Sequence, residues 1–201
     1  FDYMAYIIPG LIMMSVIINS YTNVSSSFFG SKFGRFVEEM LVSPISNQTI
    51  LLGYVTGGVA RAMSVGIIVT ILSLFFTDLV IHNMFAVVSI TVLTAVLFSL
   101  LGFINGVYAK RFDDVSIVPT FVLTPLTYLG GVFFSIDLLP DFWAGVAQLN
   151  PILYVVNAFR FGILGVSDIS LGWAYGILIS MTIVAYVIAV RLLANGAGVR
   201  S

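Results

Sequence analysis

The sequence contains no cysteine, a single histidine (His82), and charged side chains at only 8% of its 201 positions. Without cysteine there is no disulfide framework, iron–sulfur ligand or thiol nucleophile. One histidine does not supply a His-based metal site. The formal net charge of −1 excludes a basic nucleic-acid binder. The G-x-S-x-G and H-E-x-x-H patterns are absent, and no second histidine is available for a dyad, so an enzyme reading has nothing to stand on. A phosphate-cradling G-x-x-x-x-G-K-[ST] loop is also missing, since Gly30-Ser31-Lys32 lacks the upstream glycine. Neither internal repeats nor low-complexity segments occur, which argues against an inverted-repeat secondary transporter. What is present is apolar: 60% of residues are hydrophobic and the mean hydropathy is +1.12. Soluble domains carry about 25% charged residues. This chain is an integral membrane protein.

Uncharged stretches divide that apolar mass. Tyr3–Ser31 runs for 29 residues, Leu79–Ala109 for 31, Val115–Ile136 for 22 and Ile169–Val190 for 22. A helix needs roughly 20 apolar residues to cross the hydrocarbon core. Ala62–Thr77 has only 16 but extends backwards past Arg61. The cost of one Arg, roughly 2.5–3.5 kcal/mol at a helix centre, is outweighed by the apolar residues that follow it. The expected spans are therefore 3–29, 51–76, 84–108, 117–136 and 171–192, all helical, because isolated strands leave backbone groups unpaired in lipid. Phe142–Phe159 is also uncharged but holds Gln148, Asn150, Pro151 and Asn157. Pro151 interrupts the helical ladder. A re-entrant segment over 140–158 is expected there instead of a span.

Basic residues divide unevenly between the two sets of loops. One set carries Lys32, Arg35, Lys110, Arg111, Arg191 and Arg200; the other has only Arg160, among Asp2, Asp78, Asp137, Asp141 and Asp168. The positive-inside rule makes the first set, including the C-terminus, cytoplasmic. Phe1 then lies outside with no signal peptide ahead of it, and the expectation is a fragment lacking one N-terminal span of six.

The longest cytoplasmic segment, Gly34 through Ser46, places Phe36, Val37, Met40 and Leu41 at helical spacing. Glu38 and Glu39 fall towards its N-terminal half, where the helix dipole favours anions. Pro44 closes it. This helix, over 34–43, is either a solvated connector or a docking element, since Phe36 and Leu41 have no reason to face the cytosol uncovered.

At this turn the sequence resembles the permease subunits of ABC-2 type exporters, bacterial inner-membrane proteins. The resemblance runs along essentially the whole chain. It rests on Gly34 through Pro44, on Phe112-Asp113-Asp114 with Pro119-Thr120-Phe121 and Pro125 through Phe133, and on Leu139-Pro140, Asn150-Pro151-Ile152, Arg160 and Gly165. It implies an all-α, polytopic transmembrane bundle of six helices, five of them present here, with an outer re-entrant hairpin before the last span. It also implies a homodimer in the inner membrane that binds two ABC ATPase subunits on the cytoplasmic face. ATP and magnesium would sit on those subunits, and this chain itself would hold no cofactor and no catalytic residue. Gly34, Phe36, Glu38, Glu39, Leu41, Ser43 and Pro44 would contact the ATPase as a coupling helix. Pro140, Asn150, Pro151 and Arg160 would form the outer re-entrant signature. No span contains a midplane carboxylate for ion coupling, so the residues independently place the energy source on another chain.

On the first span Ser15, Asn19, Thr22, Asn23 and Ser26 recur every three or four residues and share a face. They either hydrogen-bond to neighbouring helices or line a path for a polar or amphipathic substrate. A stripe of Ser, Thr and Asn argues against a strongly charged cargo. The pairs Gly53/Gly57, Gly102/Gly106 and Gly172/Gly176 are expected to pack helices within the subunit, the alternative being a dimer seam. Arg61 is expected to snorkel to the inner interface, the alternative being a place in the cavity. Arg160 is expected to ion-pair with the outer aspartates, His82 to be a solvated loop residue, and Trp143 and Trp173 to anchor at the interface. The leading function is a permease for ATP-driven export; a passive channel or a structural membrane subunit is the alternative.

Overall fold

The computed structural model describes residues 3–77 and 79–196, with the backbone alone at residue 137. Asp2, Asp78 and Arg200, used in the charge analysis, lie outside the described residues, as does the side chain of Asp137. The described chain is helical throughout: α1 (Tyr3–Phe33), α2 (Phe36–Val42), α3 (Asn47–Ser73), α4 (Met84–Tyr108), α5 (Phe112–Val118), α6 (Thr124–Thr127), α7 (Asp141–Gln148), α8 (Pro151–Leu164) and α9 (Leu171–Ala194). Two π-helical stretches, Pro119–Leu123 and Tyr128–Val132, join α5 and α6 into one continuous fourth span, Phe112–Val132. Five helices are long and apolar enough to cross a membrane: α1, α3, α4, the fourth span and α9.

Helix α1 is the centre of the bundle, packed along α4 on one side and α3 on another. Its residues Ile8, Ile12, Val16, Ser20, Val24 and Phe28 follow one another at four-residue intervals and are all buried. Lipid tails are as apolar as the helix surface, so what holds membrane helices together is close packing and interhelical hydrogen bonding. Gly102 supplies the first: a Cβ there would overlap the carbonyl oxygen of Tyr21. At Gly106 a Cβ would lie 3.0 Å from the Ser25 oxygen. Asn105 supplies the second, donating from Nδ2 to Ser25 Oγ at 3.0 Å. Gly102/Gly106 therefore packs helices within the subunit. The other two pairs differ from that expectation. Gly53, Gly172 and Gly176 have nothing within 4 Å of an added Cβ, and Gly57 has only Asn23 Nδ2 at 4.0 Å.

The fourth span is irregular for a chemical reason. Pro119 and Pro125 lack the N–H that closes the ladder and crowd the preceding turn. Asn105 Nδ2 takes over one freed acceptor, donating at 3.4 Å to the carbonyl of Val115, four residues before Pro119. The span ends where Gly131 turns to φ 73°. Beyond it, α7 and α8 make a hairpin whose turn, Asn150-Pro151, reaches back to the depth of Leu126, with Asn150 Nδ2 donating to that carbonyl at 2.7 Å. Leu126 is six residues before Val132, so the hairpin dips by about 9 Å at 1.5 Å per residue. Asn150 also caps α8, accepting from Ile152 N at 3.0 Å with Pro151 as first helical residue. Helix α8 packs among α1, α4 and α9. At 14 residues it is about 21 Å long, too short to cross.

Candidate functional site

The polar face of α1 opens on a cavity of about 540 Å³ between α1, α3 and the fourth span. Helix α1 contributes Thr22, Asn23 and Ser26 beside Ile18. The fourth span contributes Ser116, Thr120 and Thr124 around Val115 and Pro119. These are the second half of α1, which leads into α2, and the first half of the fourth span, so the cavity lies in the half of the bundle that carries α2.

Ser15 and Asn19 share the face but do not line the cavity, and are half-buried further along α1. The hydroxyls turn back on their own helix: Ser15 Oγ donates to the Ile12 carbonyl at 2.7 Å, Thr22 Oγ1 to Ile18 at 2.7 Å and Ser26 Oγ to Thr22 at 2.7 Å. Asn19 Nδ2 donates to the Ser15 carbonyl at 2.9 Å. The stripe therefore does not knit α1 to its neighbours, with one exception. Asn23 Oδ1 accepts from Arg61 Nη1 at 3.5 Å. Arg61 thus lines the cavity, and the expectation that it snorkels to the interface is corrected. Composition gives its depth along α3 but not the direction in which its side chain leaves the helix.

At the α2 end of the bundle, α1 turns into α2 through Gly34 and Arg35. Arg35 adopts φ 61°, the left-handed region. Gly34 has no Cβ because the Phe36 ring occupies that space, 2.7 Å away. The buried anchor of α2 is Val37, 2% exposed. Met40 and Leu41 pack against the main core, which corrects the expectation that Leu41 is uncovered. The uncovered apolar residues are Phe36, at 59%, and Val42, at 87%, which the periodicity missed. Glu38 and Glu39 are exposed in the first turn and Pro44 is exposed past the end. Ser43 closes the helix, its N–H donating to Glu39 at 3.1 Å and its hydroxyl to Met40 at 2.7 Å. A groove of about 690 Å³ runs between Glu38, Leu41 and Val42 and the end of α9 at Leu193 and Ala194.

A residue unmarked as a site by sequence fixes this turn in place. Lys32 Nζ donates to the carbonyls of Val107 and Ala109 at 2.8 and 2.9 Å. Those are orphan acceptors at the end of α4, where a cation is favoured by the helix dipole. A lone lysine at a helix end is the signal that pointed there.

On the opposite end of the bundle, Arg160 is 1% exposed. Its Nη2 donates to the Gly131 carbonyl at 2.6 Å and its Nη1 to the Tyr6 hydroxyl at 2.9 Å. Among the described residues no carboxylate oxygen hydrogen-bonds it, and the Asp137 side chain lies outside them. Asp168 instead accepts from Ser135 Oγ at 2.9 Å and Ile136 N at 3.4 Å, while its own N–H donates to Asn157 Oδ1 at 3.1 Å. Arg160 and Asn150 are thus both buried and both bond to carbonyls of the fourth span, at Gly131 and Leu126, with Pro151 half-buried beside Asn150. Pro140 stands apart at the exposed start of α7, where its carbonyl accepts from Ala144 N at 2.9 Å. His82 is exposed and its N–H donates to the Ile163 carbonyl at 3.2 Å. Trp143 and Trp173 are both exposed.

Three similarities to known proteins accompany this geometry. The family model described as ABC-2 type transporter matches residues 1–164. The inner membrane transport permease YadH of Escherichia coli (strain K12) is 56% identical over 201 residues, covering all of this chain and 78% of that protein. Nodulation protein J of Rhizobium meliloti (strain 1021) is 23% identical over 195 residues, covering 96% of this chain and 74% of that protein.

Proposed function

From the premise that this chain belongs to the ABC-2 type transporter family, and is a multi-pass transmembrane permease of an ABC transporter, we propose that it forms the path through which a separate ATPase subunit drives export. The permease is a transport component and not itself catalytic. Family membership implies an ABC ATPase subunit as partner. In this reading ATP and magnesium act on that partner, and two copies of the permease enclose one path in a bacterial inner membrane. The half of the bundle bearing α2, Lys32 and Lys110 faces the cytoplasm, as the distribution of basic residues favours.

The observation that carries the proposal is the placement of a polar cavity within the membrane-spanning bundle, in the half that also carries an exposed acidic elbow. Thr22, Asn23 and Ser26 line a space of about 540 Å³, and the hydroxyls of Thr22 and Ser26 bond to no neighbouring helix. Polar groups at membrane depth are tolerated where they line a water-filled path. Phe36, Glu38, Glu39 and Val42 stand exposed on α2, an arrangement suited to a partner's groove. Gly34, Leu41, Ser43 and Pro44 shape and seat that helix. Closure of the ATPase then pushes on α2, and Lys32 passes the displacement to the end of α4. Pro140, Asn150, Pro151 and Arg160 hold the outer hairpin that closes the far end.

The test is co-purification of the full-length permease with the ATPase encoded beside it. Glu38→Lys with Val42→Asp changes two exposed residues and leaves the buried anchor Val37 in place. The expected result is loss of the ATPase from the purified complex with normal permease yield. Unchanged co-purification and unchanged transport would remove α2 from the docking surface.

A further inference from the structure

Arg61 lies 14 residues into the 27-residue helix α3, about 21 Å from its start and near the middle of the span. A cation at that depth is costly unless it faces water or a counter-charge. No carboxylate lines the cavity into which it projects. Its one bond there, to Asn23 Oδ1 at 3.5 Å, is at the limit of hydrogen-bonding distance, and its other guanidinium donors have no partner among the described residues.

The rest of the lining is biased in the same direction. Asn23 accepts from Arg61 through Oδ1, and its Nδ2, beside Gly57 of α3, has no hydrogen-bond partner among the described residues. The hydroxyls of Ser116 and Thr120 likewise have no partner among the described residues. Thr22, Ser26 and Thr124 have already spent their protons on backbone carbonyls. A planar guanidinium, an amide N–H₂ and two free hydroxyls therefore converge from three helices without an anionic group among them. Such a fork matches phosphate and carboxylate oxygens in a way a neutral stripe does not.

We infer that Arg61, with Asn23, Ser116 and Thr120, is a receptor for an anionic phosphate or carboxylate group of the transported molecule. The inference rests on the cavity being the transport path and narrows the cargo class to anions, since Arg61 in the lining reverses the expectation drawn from the neutral stripe alone. Ile18, Val115 and Pro119 give the same cavity an apolar side, which suits an amphipath carrying that group.

The absence of native cysteine allows a direct test on the full-length permease in nanodiscs of zwitterionic lipid. Ser26→Cys places a thiol in the cavity at a hydroxyl that is not a free donor. Its rate of modification by an anionic sulfonate methanethiosulfonate is compared with that by the cationic trimethylammonium reagent. The expected result is faster modification by the anionic reagent, with a rate ratio falling at least about threefold in Arg61→Gln and retained in Arg61→Lys. Dodecyl phosphate should slow modification while dodecyl maltoside does not. Protection by inorganic phosphate alone supports the receptor and assigns it to a free anion; protection by dodecyl phosphate only assigns it to an anionic amphipath. A rate ratio unchanged by Arg61→Gln, or equal protection by dodecyl maltoside, overturns the inference. Because no ATPase takes part, that failure is distinct from failure of the permease reading, which co-purification tests separately.

Discussion

The guanidinium carbon of Arg160 stands 3.8 Å from the centroid of the Tyr6 ring, and its Nη1 donates to that tyrosine's hydroxyl at 2.9 Å. One residue of the α7–α8 hairpin is thereby fastened to the first turns of α1, and through Nη2 to the carbonyl of Gly131 at the break in the fourth span. Three segments far apart in sequence meet on one buried cation. The ring face adds a cation–π attraction to those two hydrogen bonds.

Replacing that cation should be costly. Arg160→Met keeps most of the volume but leaves the Gly131 carbonyl and the Tyr6 hydroxyl without their donor. A loss of about 2–4 kcal/mol is expected, since bonds to charged groups contribute roughly 1.5–3 kcal/mol each before the site relaxes. Thermal unfolding of the purified protein measures it. Tyr6→Phe should cost less, because the ring face remains.

Lys32→Met should separate assembly from coupling. It strips the Val107 and Ala109 carbonyls of their cation, at a cost of about 1–2 kcal/mol. The exposed surface of α2 is untouched, so the ATPase should still co-purify while transport per ATP hydrolysed falls. Equal loss of both would assign Lys32 to docking.

The glycine pairs should respond in opposite ways. Gly102→Val drives a branched side chain into the Tyr21 backbone and is expected to cost more than about 3 kcal/mol or to abolish expression. Gly53→Ala meets open space and gains up to about 1 kcal/mol of helix propensity. Expression yield and thermal midpoint of the two variants decide the matter. A strongly destabilising Gly53→Ala would place another helix on that face of α3.

The five spans were legible because lipid imposes a length and a composition that uncharged stretches reveal directly. Pro151 and the amides around it told the hairpin from a span, since proline starts a new helix there and α7 and α8 on either side are each too short to cross. Direction around a helix axis was harder to read. In the seven-residue α2, a rotation of one position, about 100°, exchanges Leu41 for Val42 as the uncovered residue, and two turns are too few to fix the phase. Arg61 illustrates the same gap: its depth follows from counting, whereas its partner Asn23 depends on how α1 and α3 face each other. Glycine spacing reports that a close approach is permitted, and only the fold reveals that Gly102 uses it while Gly172 does not. The bonds of Arg160 to Tyr6 and to the Gly131 carbonyl were not legible, because a ring face and a backbone carbonyl carry no charge to mark them in sequence.

The account turns on an external motor. Its most direct test is vectorial uptake into inside-out proteoliposomes containing the full-length permease, with and without the neighbouring ATPase, using a fluorescent anionic amphipath as cargo. Accumulation that requires ATP, magnesium and the partner, and that is abolished by Glu38→Lys with Val42→Asp, is the predicted result. Flux through the permease alone, running down the cargo gradient and indifferent to ATP, would contradict the account and identify a passive channel.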